Sequence, residues 1–183
     1  MKLIIVSGRS GSGKSVALRV LEDLGYYCVD NIPVNLLPAL THTVINDYET
    51  VAVSIDVRNL PDEPSDVADI LDYLPNNVQL SILYLDAEDV DLIRRFSETR
   101  RLHPLIRQNI ALDQAISLEK KLLEPIASRA NLYFNTSQLS PHQLADMIRE
   151  RILGKKTGSM IVVFESFGFK HGIPKDADYV FDA

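Results

Sequence analysis

Residues 8 to 15 read Gly-Arg-Ser-Gly-Ser-Gly-Lys-Ser, a complete G-x-x-x-x-G-K-[ST] spacing. Glycine at these positions lets the backbone turn tightly, so that successive N–H groups face inward at a phosphate. Lys14 supplies a positive charge to β- and γ-phosphates, and Ser15 offers a hydroxyl to Mg²⁺. The motif needs a strand before it and a helix behind it. The apolar run Lys2–Val6 and the helical spacing of Val16, Ala17, Val20, Leu21 and Leu24 meet both requirements. The helix adds the positive end of its dipole. The pattern therefore predicts a site for ATP or GTP with Mg²⁺, built from Gly8, Arg9, Ser10, Gly11, Ser12, Gly13, Lys14 and Ser15.

Further residues could contribute charge to such a site. Asp56 closes the apolar run Val51–Ile55. An acid at the tip of a neighbouring strand holds Mg²⁺ in phosphate-loop proteins. With Val57, Arg58 and Asn59 it would lie at the sheet edge where ligands bind; the alternative is a turn-capping aspartate. Asp30, in Asp30-Asn31-Ile32-Pro33, either positions an acceptor hydroxyl, as in a small-metabolite kinase, or caps an Asx-type turn. From Arg94 to Arg107 there are five arginines and one acid. Arg94 and Arg101 would share a face if helix continued through them. Arg94, Arg95, Arg100, Arg101 and His103 are candidates for a lid over the nucleotide, for contact with RNA or another polyanion, or for an ion-paired surface. His42 and His142 read as surface residues. The sequence assigns no catalytic residue.

The elements that must position these groups alternate along the chain. Strands are expected at Lys2–Val6, Tyr26–Val29, Val51–Asp56, Gln79–Leu85 and Asn131–Asn135. Helices are expected at Ser15–Leu24, Pro33–Tyr48, Pro64–Leu74, Ala87–Thr99, Leu112–Ala130 and Pro141–Leu153, with Pro125 kinking or dividing the fifth. Ser140, Pro141 and Gln143 form a capping signature, and Gly154 a stop. This βα alternation predicts an α/β fold, a doubly wound parallel sheet with flanking helices like that of phosphate-loop NTPases. A nucleotide-binding domain is expected over 1–153, a linker over 154–159, and the truncated start of a C-terminal domain, opening with a strand at Met160–Phe164, over 160–183.

The 183 residues carry a net charge of −6 and are 46% apolar, which suits one globular domain and no membrane partner. No apolar run reaches the length of a membrane span, and the N-terminus lacks a signal-peptide pattern. The lone Cys28 fits a reducing cytoplasm and reads as a small buried strand residue. The charge is uneven: Asp47 to Asp91 holds twelve acids and one base, Arg58. That run reads as a solvated face.

Gly8–Ser15, Cys28-Val29-Asp30-Asn31, Ser54–Asn59, Arg100-Arg101-Leu102-His103-Pro104-Leu105 and Phe164–Gly172 together resemble the RapZ/YvcJ family of bacterial nucleotide-binding proteins. The resemblance runs over the whole chain. It implies ATP at the phosphate loop and GTP at Asp56, Val57, Arg58 and Asn59, although one site using both segments is physically simpler. It also implies an RNase adapter that presents a small regulatory RNA to an endoribonuclease and so controls amino-sugar synthesis, with at most slow NTP hydrolysis. Family chains continue into a second domain with a basic end implicated in RNA binding, so truncation is expected here. A homo-oligomer is expected for the full-length protein.

Overall fold

The computed structural model describes residues 1–64, 66–106 and 110–154. Five strands form one parallel sheet: β1 (Lys2–Gly8), β2 (Tyr27–Val29), β3 (Thr50–Ile55), β4 (Gln79–Asp86) and β5 (Leu132–Asn135), in the spatial order β2-β3-β1-β4-β5. The helices are α1 (Lys14–Asp23), α2 (Leu37–Val44), α3 (Asp66–Asp72), α4 (Asp89–Thr99), α5 (Leu112–Leu122), α6 (Glu124–Ala127) and α7 (Pro141–Leu153). The doubly wound α/β architecture expected from the sequence is the one observed.

The continuous apolar runs follow from burial on both faces of the sheet. Side chains alternate along β1. Leu3 and Ile5 pack with Val53, Ile55, Ile82 and Leu123, while Ile4 and Val6 pack with Ala17, Leu21, Leu85 and Ile148. The two layers of helices are thereby fixed to a central strand whose last residue is the first glycine of the motif.

Several expected elements change length. The helix expected over Pro33–Tyr48 is a short 3₁₀ turn, Val34–Leu36, followed by the two-turn α2. Pro38 sits in the first turn of α2, and the Thr41 and Thr43 hydroxyls donate to the carbonyls of Pro38 and Ala39. The β-branched run that follows sustains helix poorly. Pro125 divides the fifth expected helix into α5 and α6. At α7 the reciprocal cap is present: Ser140 Oγ accepts from the Gln143 amide at 3.2 Å, and Gln143 Oε1 accepts from the Ser140 amide at 2.9 Å. Gly154 closes the helix in the left-handed conformation. Cys28 is half-buried rather than buried, with Sγ 3.6 Å from the Leu18 carbonyl. The strand expected at Met160–Phe164, and the linker beyond Gly154, lie outside the described residues. No described helix is long and apolar enough to cross a membrane.

Candidate functional site

The carboxyl ends of β1, β3 and β4 lie side by side, because they pair in register with one another. Between β1 and α1 the chain makes the eight-residue loop. Gly8 has φ +143°, and a Cβ there would fall 2.0 Å from the Leu85 carbonyl oxygen, so only glycine lets the loop leave the sheet beside β4. Gly13 (φ +107°) precedes α1 and gives it no side-chain cap. Among the described residues the amides of Gly11, Gly13, Lys14 and Ser15 have no acceptor. The Ser12 hydroxyl is buried with no partner. A row of free donors at an uncapped helix start is a cradle for an anion, and these residues fit a phosphate group. Lys14 Nζ donates to the carbonyls of Gly8 at 2.7 Å and Arg9 at 3.2 Å. Desolvation pulls its pKa below the usual lysine value, against the attraction of Glu119 and Asp56.

Side chains from later elements brace this loop. Arg9 is only 2% exposed and turns away from the cradle. Its Nε donates to Asp86 Oδ1 at 2.5 Å, and its other nitrogens reach Asp89 and the Ala87 carbonyl. The sequence reading placed Arg9 among the phosphate-holding residues; its side chain is an internal anchor, leaving only its backbone at the loop. Glu119 of α5, fully buried, accepts from the Ser10 amide at 2.9 Å and from the Ser10 hydroxyl at 2.7 Å. His103 Nε2 lies 3.0 Å from the same carboxylate, and its Nδ1 accepts from the Leu105 amide at 3.2 Å. That second bond leaves Nε2 as the protonated nitrogen, so a neutral imidazole donates to Glu119. Arg95 donates to the Gly11 carbonyl at 3.0 Å and to Thr136, whose hydroxyl donates to the Ser12 carbonyl at 3.0 Å.

Asp56 follows β3, which neighbours β1. Its carboxylate accepts from the Arg58 amide at 2.8 Å and from Arg58 Nε and Nη2, the latter at 2.5 Å. The Asp56 amide donates to Asn59 Oδ1 at 2.9 Å, so the tetrad is a closed turn in which Val57 and Asn59 are buried. Lys14, Asp56, Arg58, Arg101 and Pro104 line one cleft of about 1050 Å³ together with Ser10 and Gly11. Ser10, Gly11 and Lys14 of the loop and Asp56, Val57 and Arg58 of the turn therefore line one cavity. Asp30 is exposed, accepts from the Ser54 hydroxyl at 2.5 Å, and precedes Asn31 in the left-handed conformation.

The arginine-rich stretch has three fates. Arg94 pairs with Asp91 at 2.6 Å on the surface. Arg95 braces the loop. Helix α4 stops at Thr99 and Arg100 turns into the left-handed region at φ +52°. Arg94 and Arg101 therefore do not share a helix face. Exposed Arg101 borders the cleft, and the buried His103 belongs to the Glu119 bond rather than to a free anion contact. Glu119, Asp86, Asp89 and Thr136 went unrecognised in the sequence; each is brought to the loop by topology alone.

The family model of the RapZ-like N-terminal domain matches residues 1–156. This chain belongs to that family. A nucleotide-binding protein of Colwellia psychrerythraea is 81% identical over all 183 residues, which make up 64% of that relative. An RNase adapter protein RapZ of Photorhabdus laumondii is 59% identical over 182 residues, again 64% of its length. The chain thus spans a little under two thirds of the curated relatives it matches. The RapZ-like domain is also similar in fold to a shikimate kinase from Bacteroides thetaiotaomicron (TM-score 0.53, 16% identity, 83% of this chain and 98% of the other). A sugar kinase from Janibacter sp. gives a TM-score of 0.57 at 18% identity, covering 84% and 93%.

Proposed function

We propose that the domain binds ATP or GTP, with Mg²⁺, in the single cleft between the phosphate loop and the Asp56–Asn59 turn. The observation that carries this is the row of unpartnered amides at Gly11, Gly13, Lys14 and Ser15, in the same loop as the Lys14 ammonium. Those groups would hold the phosphates. The Ser15 hydroxyl and the Asp56 carboxylate would hold the metal, whose positive charge would draw electron density from the phosphoryl oxygens. Asp56 is already engaged by Arg58, so metal binding and the Arg58 pair compete for one carboxylate. Arg58 and Arg101 line the cleft and add positive charge there. Hydrolysis is slow: among the described residues lining the cleft, Asp56 is held by Arg58 and His103 by Glu119, which leaves no unengaged acid or base to orient a water as phosphate-loop hydrolases require.

In the full-length protein the domain serves an RNase adapter that presents a small regulatory RNA to an endoribonuclease, controls amino-sugar synthesis and assembles as a homo-oligomer in the cytoplasm. The names of relatives such as the Photorhabdus RNase adapter protein support the adapter reading. On this acidic domain, RNA contact through exposed Arg100 and Arg101 is weak and salt-sensitive. One observation favours a second reading, a small-metabolite kinase. Asp30 is exposed, and Arg58 Nη2, at the cleft, reaches the side chain of the adjoining Asn31 at 3.4 Å, so an acceptor hydroxyl held beside Arg58 would have Asp30 as a neighbour. Phosphorylation of an added metabolite would separate the two.

Titration of ATP and GTP with Mg²⁺ into the chain and into Lys14→Ala tests the nucleotide site. Loss of one charge-assisted contact lowers affinity by about tenfold or more, with the melting temperature unchanged. Equal affinity in both proteins would refute the assignment.

A further inference from the structure

The amides of the loop are divided. Those of Gly11, Gly13, Lys14 and Ser15 are free, whereas Ser10 is taken at both its amide and its hydroxyl by a carboxylate from α5. Glu119 is fully buried and lies 109 residues away in sequence. It receives a third hydrogen bond from His103. A buried, triply hydrogen-bonded anion at a phosphate loop fills a place that phosphate oxygens could otherwise claim.

The loop's own geometry says which phosphate that is. Lys14 is the contact to β- and γ-phosphates, and its Nζ sits on the carbonyls of Gly8 and Arg9, next to Ser10. The Ser10 end is therefore the terminal-phosphate end, and the free amides of Gly11, Gly13, Lys14 and Ser15 hold the phosphate nearer the nucleoside. We propose that Glu119 is the residue by which the loop distinguishes a nucleoside triphosphate from a diphosphate, the terminal phosphate competing with the Glu119 carboxylate for the Ser10 amide and hydroxyl. This rests on the nucleotide site argued above. A diphosphate leaves the Ser10–Glu119–His103 chain intact. A triphosphate must loosen it or accept a negative charge beside its own.

Glu119 is a positioning residue here rather than a general base. Three donors already occupy its oxygens. The chain continues through His103 to the Leu105 amide, and the His103 ring packs 5.1 Å from Phe96 of α4. Displacing Glu119 therefore changes the partner of His103 Nε2, a change that a diphosphate does not produce.

The test compares a nucleoside diphosphate with a non-hydrolysable imido triphosphate of the same base. Both are titrated with Mg²⁺ into the chain and into Glu119→Gln by calorimetry, and the His103 ring nitrogens are followed by NMR. Removing a buried like charge raises the triphosphate-to-diphosphate affinity ratio by about tenfold or more. The wild-type His103 Nε2 signal moves with the triphosphate and stays with the diphosphate. Should Glu119→Gln not fold, Ser10→Ala, which removes one donor to the carboxylate, changes the same ratio. Binding of both nucleotides with a ratio unchanged by either variant, or equal His103 shifts with both, overturns this inference alone. Failure of both nucleotides to bind the wild-type chain overturns the nucleotide site and this inference with it.

Discussion

Arg9 occupies a variable position of the phosphate-loop motif, yet its guanidinium points into the protein. Replacing it by methionine keeps most of the apolar stem and removes the charge. Asp86 then loses its ion pair while its side chain stays 13% exposed. Breaking such a buried pair from one side costs about 3–5 kcal/mol. Two remaining donors to Asp86, the Tyr133 hydroxyl at 2.7 Å and the Ala87 amide at 2.8 Å, place this case at the lower end. Asp89 is half-exposed and returns to water, adding less than about 1 kcal/mol. The expected loss is about 3 kcal/mol. At about 2–4 °C per kcal/mol for a domain of this size, the melting temperature falls by roughly 10 °C. Thermal and urea melts of Arg9→Met measure it. The double variant Arg9→Met, Asp86→Asn recovers part of the loss, because the uncompensated buried charge is gone. A melting temperature within about 2 °C of the parent, with nucleotide affinity nonetheless abolished, would refute the reasoning and return the Arg9 side chain to the ligand.

Asp56→Asn should weaken nucleotide binding more in Mg²⁺ than in EDTA; equal losses in both would leave Asp56 as a turn cap that holds Arg58 and nothing more. It should also free Arg58, seen as faster amide exchange at Arg58. Burial pushes the Cys28 thiol up to about 11, with a smaller contribution from Glu22. At pH 7 to 9 it is therefore almost wholly protonated, and iodoacetamide alkylation in the folded state should be much slower than in urea, accelerating as pH rises toward that value. Alkylation at the unfolded rate at pH 8 would contradict the packing of Cys28 against α1.

The strands were legible because both faces of a parallel sheet are buried, which leaves apolar runs that need no partner to be recognised. The phosphate loop was legible for a different reason: its chemistry is local, carried by glycines and one lysine within eight residues. What braces the loop is not local. Glu119 sits in Leu118-Glu119-Lys120-Lys121, which reads as a solvated helix face, and only the packing of α5 against the loop buries it. Arg94 and Arg95 are adjacent in sequence, but the turn of about 100° per residue sends one to solvent and the other to the Gly11 carbonyl. No property of either residue alone predicts which. Helix α4 ends at Thr99, where the sequence placed its end, so the face that Arg94 and Arg101 would share in a longer helix does not form: Arg100 adopts the left-handed conformation.

The central claim is that free loop amides receive phosphate in one cleft. Amide NMR of the chain titrated with ATP and Mg²⁺ tests it most directly. The largest shifts are expected at Gly11, Gly13, Lys14 and Ser15, with smaller shifts at Asp56 and Arg58 saturating at the same nucleotide concentration. Saturable binding that leaves those four loop amides unmoved, or that moves the Asp56–Asn59 turn with a separate affinity, would contradict the account.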